Sequence, residues 1–220
     1  SFLLSRAIPE EQVQSIIIVV HDKEHKELWE RDLAFFWPNV QVLPFPITER
    51  VEFTTVARSL EGQGAQMRAL SMLAWNRPVV VLATIEEATQ YVVSPQYVIS
   101  QSVHLEVSQS IERDELLEKL VKIGYERVDQ VEQRGHFSVR GDIFDIFPVN
   151  SDDPIRMEFF GDEIDTMRHF SVDTQRSIEM VDAYTVTPFF LTSDDADSTL
   201  LSYAKDGLII YDEPVRIQEA

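Results

Sequence analysis

Residues Ser15–Val20 read SIIIVV. Five β-branched residues follow one serine without interruption. A strand with one wet face alternates apolar and polar residues, whereas an unbroken run marks a strand covered on both faces, as in a parallel sheet layered between helices. Working outward, Asp22 is placed to cap the polar stretch that follows, where Trp29, Leu33 and Phe36 recur at helical spacing. Val40–Leu43 predicts a second strand. Gln66–Trp75 predicts a helix with Met67, Leu70 and Leu73 or Ala74 on one face, and Val79–Ala83 (VVVLA) a third buried strand. Strand–helix–strand alternation predicts a parallel sheet with right-handed crossovers.

The rhythm changes after residue 102. Val103–Val107 alternates, and Glu112–Ile123 predicts a helix with Leu116, Leu117, Leu120 and Ile123 on one side and Gly124 as its stop. Short strands are then expected at Arg127–Val131, His136–Arg140, Ile143–Phe147, Ile155–Phe160 and from Glu163 to Val172. Turns are marked by Gly135, Ser151–Pro154 and Gly161–Asp162. The pattern is an antiparallel sheet with one helix, an α+β module. Residues 192–198 (TSDDADS) read as an acidic linker, and Leu208–Tyr211 as one more buried strand. The division expected is 1–102, 103–187 and a return segment, 188–220.

The 220 residues carry 19 Lys+Arg against 38 Asp+Glu, a net charge of −19. Nucleic-acid-binding domains usually present a basic stripe, and this balance argues against duplex binding by the chain as a whole. Cysteine is absent, which excludes disulfides and thiolate metal sites and fits a reducing cytoplasm. No apolar run is long enough to span a membrane.

Candidate chemistry is sparse. His21 and His25 stand four apart, a metal-ligand spacing on a helix. His21 falls at the strand-to-helix junction, so the two are expected on different faces, and no third ligand is evident. Gly62 and Gly64 (EGQGAQ) lack the lysine of a phosphate-binding P-loop and are expected in a loop before a helix. Leu208–Glu213 (LIIYDE) has the pattern of a strand ending in a magnesium-holding aspartate, but no P-loop accompanies it. No catalytic residues, cofactor or metal are therefore assigned.

The most informative strand is Ile155–Phe160 (IRMEFF). Parity puts Ile155, Met157 and Phe159 on one face and Arg156, Glu158 and Phe160 on the other. In Phe137–Arg140, Phe137 and Val139 point inward by the same rule. If the first face packs on the helix, the second presents an aromatic beside an arginine, a composition common at protein interfaces. The competing reading gives Phe160 to a secondary core or to a neighbouring domain.

Residues 134–182 add a resemblance. VRGDIFDIFP (Val139–Pro148) followed by IRMEFFGDEID (Ile155–Asp165) is similar to the module shared by transcription-repair coupling factors and the excinuclease protein UvrB. Val172–Glu179 (VDTQRSIE) looks like the coupling factors, as do GYERVDQVE at Gly124–Glu132 and IIYDEPVRI at Ile209–Ile217. The tyrosine-rich DNA-clamping hairpin of UvrB has no counterpart between Pro44 and Gly64. The resemblance implies an α/β fold: a degenerate helicase-like parallel-sheet half with the α+β module inserted.

It also implies a function. The module of that family binds UvrA, the damage-recognition protein of the excinuclease, through two arginines and a phenylalanine, which fall on Arg140, Arg156 and Phe160. The expected role is a non-catalytic fragment that recruits nucleotide excision repair to stalled RNA polymerase. ATP and magnesium, and contacts to RNA polymerase and DNA, would belong to parts of the parent protein outside this stretch. Ser1–Ile8 looks like the helix after a P-loop. Pro214 stands where a working helicase motif has its third residue. The alternative is a fragment of UvrB itself, a DNA-clamping ATPase. An enzyme acting on a small substrate lacks any catalytic constellation.

Overall fold

The computed structural model describes residues 2–8, 14–47, 56–189, 196–205 and 207–219. In chain order the elements are α1 (Phe2–Ala7), β1 (Ser15–Val20), α2 (Lys23–Phe36), β2 (Val42–Pro44), α3 (Val56–Ala74), β3 (Val79–Thr84), α4 (Ile85–Thr89), β4 (Val92–Val93) and α5 (Pro95–Gln101). There follow β5 (Val103–Glu106), α6 (Arg113–Lys122), β6 (Glu126–Arg127), β7 (His136–Arg140), β8 (Ile143–Ile146), β9 (Ile155–Phe160), β10 (Glu163–Phe170), β11 (Ser177–Met180) and β12 (Ala183–Val186). The last are β13 (Ala196–Ser198), a 3-10 turn at Leu200–Tyr203, β14 (Leu208–Tyr211) and α7 (Pro214–Glu219). They divide into two compact units, Ser1–Ile99 with Thr192–Ala220, and Ser100–Leu191.

The first unit holds a parallel sheet of order β14-β1-β3-β2. Its two inner strands, β1 and β3, are buried at every residue, which accounts for their unbroken apolar runs. Leu33 and Trp37 at the end of α2 pack on Ile16, Ile18, Val20, Val80 and Leu82. Asp22 caps α2, its side chain accepting from the His25 backbone N–H at 2.8 Å.

Three expectations change here. Leu208–Tyr211 is a strand, but it lies at the sheet edge with Leu208 and Tyr211 half-exposed, because a strand flanked on one side only has less to bury against. Gly62 and Gly64 lie inside α3, not in a loop before it; a glycine costs a helix interior about 1 kcal/mol, which the rest of a long helix can absorb. Of the acidic stretch 192–198, Ala196–Ser198 forms β13 against β4, and the rest lies outside the described residues. Residues 48–55, within the stretch compared with the DNA-clamping hairpin, also lie outside them.

The second unit is a six-stranded sheet of order β11-β10-β9-β8-β7-β6, antiparallel except for the short parallel pair β6–β7. The expected strand Arg127–Val131 is reduced to Glu126–Arg127, since Val128 N–H donates once more to Phe137 O and the pairing then stops. Leu116, Leu120 and Ile123 of the α6 segment cover one sheet face and share a core with Phe137, Phe144, Ile155, Met157, Phe159 and Met167. Gly124, at φ +95°, stops α6. Tyr125 donates to Thr187 O at 2.8 Å and accepts from Val149 N–H at 3.2 Å; burial pushes its phenol pKa up.

Candidate partner-binding face

With one face of the six-stranded sheet under α6, the other is built from the alternate residues of the same strands. Register aligns Ser138, Asp145, Arg156 and Arg168 across β7, β8, β9 and β10. The burial of β9 alternates as parity requires: Ile155, Met157 and Phe159 are buried, Arg156 and Glu158 partly so, and Phe160 is 84% exposed. Phe160 therefore belongs to no secondary core within the described residues of this unit.

The two arginines are not equivalent. Asp145 is buried, and Arg156 meets its carboxylate with two hydrogen bonds, Nε at 2.7 Å and Nη2 at 2.9 Å. Arg156 Nη2 also donates to Gln175 Oε1 at 3.0 Å, and its guanidinium lies 4.3 Å from the centroid of the Phe170 ring. The Asp145 bonds raise the pKa of Arg156, against the opposing effect of burial. Arg140 reaches Asp145 Oδ2 with one bond at 3.1 Å and stays half-exposed. Parity correctly gives Arg156 the outward direction, yet its side chain is only 13% exposed. It is a fixed strut of the face, whereas Arg140 and Phe160 are its accessible groups. Beside Arg140 lies an open cleft of about 570 Å³ lined by Arg127, Val128, Asp129, Val139 and Arg140.

The turns bearing these groups are clamped from the other side. Arg113, at the start of α6, donates from Nη1 to Gly141 O at 2.9 Å and from Nη2 to Asp142 Oδ1 at 2.9 Å and Gly161 O at 3.0 Å. Gly141 follows Arg140 and Gly161 follows Phe160, so one guanidinium ties both hairpin tips together. Further along, Arg168 is hydrogen-bonded to Glu158 and holds that carboxyl below the usual carboxylate range. Sequence reasoning missed Asp145, Arg113 and Gln175. A signal existed for Asp145, an acid between Phe144 and Ile146 in a strand. Nothing in the local pattern marks Arg113 or Gln175.

Elsewhere the structure corrects the expectation for the histidine pair. His21 and His25 are together, with ring centroids 4.0 Å apart, and Asp22 lies between them, Oδ2 at 3.1 Å from His21 Nε2 and Oδ1 at 2.9 Å from His25 Nδ1. The chain turns sharply at the Asp22 cap, which swings the last residue leaving the strand over the first turn of α2. The LIIYDE aspartate is also engaged: Asp212 accepts from Trp29 Nε1 at 2.7 Å.

The sheet-and-helix unit matches the UvrB interaction domain family over residues 103–190. The longer chain is similar to the transcription-repair-coupling factor of Bacillus subtilis (strain 168), 29% identical over 186 residues, covering 84% of this chain and 16% of that protein. It is also similar to the same factor from Staphylococcus aureus (strain USA300), 30% identical over 200 residues, covering 89% and 16%. The match thus runs beyond the interaction domain into the parallel-sheet unit, and the chain spans about a sixth of the length of these relatives. No described helix is long and apolar enough to cross a membrane.

Proposed function

We propose that this chain is a non-catalytic docking segment of a transcription-repair coupling factor, and that the open face of its UvrB interaction domain binds UvrA. The observation that carries the reading is Phe160, a large aromatic 84% exposed at the end of a strand whose neighbours are fixed. A preorganised apolar anchor beside a cation loses little conformational freedom on docking. Arg140, half-exposed, presents positive charge on a chain of net charge −19, which suits an acidic patch on the partner. Phe160 supplies the anchor, Arg140 the contact to a partner carboxylate, and Arg156 holds the face between them through Asp145.

The parallel-sheet unit serves in this reading as a degenerate helicase-like scaffold. The engagement of Asp212 by Trp29 supports that role, since this carboxylate is already a hydrogen-bond acceptor within the fold. ATP and magnesium, with RNA polymerase and DNA as further partners, belong to the motor and other domains of the parent protein, acting in the cytoplasm. The test is calorimetric titration of this chain with purified UvrA. Phe160→Ala and Arg140→Ala are each expected to weaken binding by about 1–3 kcal/mol, the usual effect of truncating an interface anchor. Wild-type affinity in both variants would remove this face from the interaction.

A further inference from the structure

Ligands of open α/β folds commonly bind at the C-terminal edge of the parallel sheet, and β1 ends there in a cluster of potential ligands. We propose that His21, Asp22 and His25 form a binding site for a divalent transition cation of the zinc class. The proposal is independent of the docking reading, which concerns the other unit.

Three residues each offer one ligand atom, and these atoms all lie within 4.8 Å of one another. Bonds of about 2.0–2.1 Å in tetrahedral coordination place donors roughly 3.3 Å apart. The His21 Nε2 to Asp22 Oδ2 separation of 3.1 Å already matches this, so only a small side-chain adjustment of His25 completes a three-donor set. The set has a fixed base and an open mouth: His21 is 11% exposed, His25 30% and Asp22 45%. Water can fill the remaining coordination positions from the exposed side, as in sites with three protein ligands.

Charge decides whether a cation is tolerated at the start of a helix. The N-terminus of α2 carries the equivalent of about half a positive charge, and the Asp22 carboxylate sets a full negative charge against it. Two imidazoles and one carboxylate favour zinc, nickel or copper over magnesium and calcium, which take all-oxygen sets.

The experiment is titration of the intact chain with zinc chloride in a non-chelating buffer, read by calorimetry and by equilibrium dialysis. Nickel and magnesium chlorides are run alongside. One zinc per chain in the micromolar range is expected, nickel binding in competition with it, and no saturable magnesium binding. His25→Ala and Asp22→Asn should each weaken zinc binding at least about tenfold, with melting curves close to wild type. Asparagine retains a capping oxygen, so this second variant decides the matter if the first fails to fold. Absence of saturable zinc binding overturns the proposal. So does unchanged binding in a folded variant, which would put the ion on other side chains, or magnesium binding as tight as zinc.

Discussion

The two sheets of this molecule meet water in opposite ways. In the parallel sheet, β1 and β3 bury every residue, and exposure is confined to the edge strands, β14 among them. In the antiparallel sheet, the face under α6 buries Phe137, Phe144, Met157 and Phe159, while the other carries a polar lattice built on Asp145, Arg156 and Arg168 and ends in the bare ring of Phe160. A sheet covered on both faces contributes stability and leaves only its edges for recognition. A sheet covered on one face can give the same strand both tasks, since successive side chains point to opposite sides.

The sharpest way to break this comparison is to truncate the same residue type on each face. Phe144 is buried on the inner face, its ring stacked on Phe137 at 5.8 Å between centroids. Phe144→Ala should destabilise the interaction domain by about 3–5 kcal/mol, the usual loss for a core phenylalanine. Phe160→Ala should leave stability within about 0.5 kcal/mol of wild type, as for other surface changes. Hydrogen exchange at the β8 and β9 amides reads the loss in this unit specifically. A comparable loss in both variants would mean that the outer face is also core.

Next in size is the lattice itself. Arg156→Met removes both bonds to the buried Asp145 and should cost about 2–3 kcal/mol, because a carboxylate out of water then lacks its main partner. Adding Asp145→Leu removes the stranded charge as well, and the double variant should return to within about 1 kcal/mol of wild type. Hydrogen exchange again gives both values. An undiminished single variant would show that Arg156 is an ordinary surface residue and that the face is not fixed in advance of binding.

Legibility in the sequence follows the range of the interaction. Period-two alternation in Ile155–Phe160 is local, so the outward direction of Arg156 and Phe160 could be read directly. The strut role of Arg156 could not, because it depends on the β8–β9 register that sets Asp145 opposite it. Arg113 was invisible for the same reason: its partners, at Gly141, Asp142 and Gly161, lie 28 to 48 residues away. The pairs β4–β13 and β5–β12 join residues distant in the chain, so the alternation at Val103–Val107 could be read but its pairing with β12 could not. His21 and His25 fail differently. Helical spacing was the wrong ruler, since the turn at Asp22 sets their separation.

The smallest contrast uses two glycines with equally open surroundings. An added Cβ would meet nothing within 4 Å at either Gly62, inside α3 of the parallel-sheet unit, or Gly161, in the β9–β10 turn. Space therefore does not distinguish them, and backbone conformation must. Gly62 has helical neighbours on both sides, so alanine there fits the native fold and narrows the unfolded ensemble. Gly62→Ala should stabilise by about 0.5–1 kcal/mol. Gly161 has φ +67°, a left-handed conformation that costs an L-residue about 1–2 kcal/mol. Gly161→Ala should therefore destabilise by about 1 kcal/mol, and it also strains the turn that Arg113 clamps beside Phe160. Chemical denaturation of the two variants reads the opposite signs. Equal signs would mean that the backbone at one of these positions differs from that described, and a stabilised Gly161→Ala would remove the turn constraint that holds Phe160 in place.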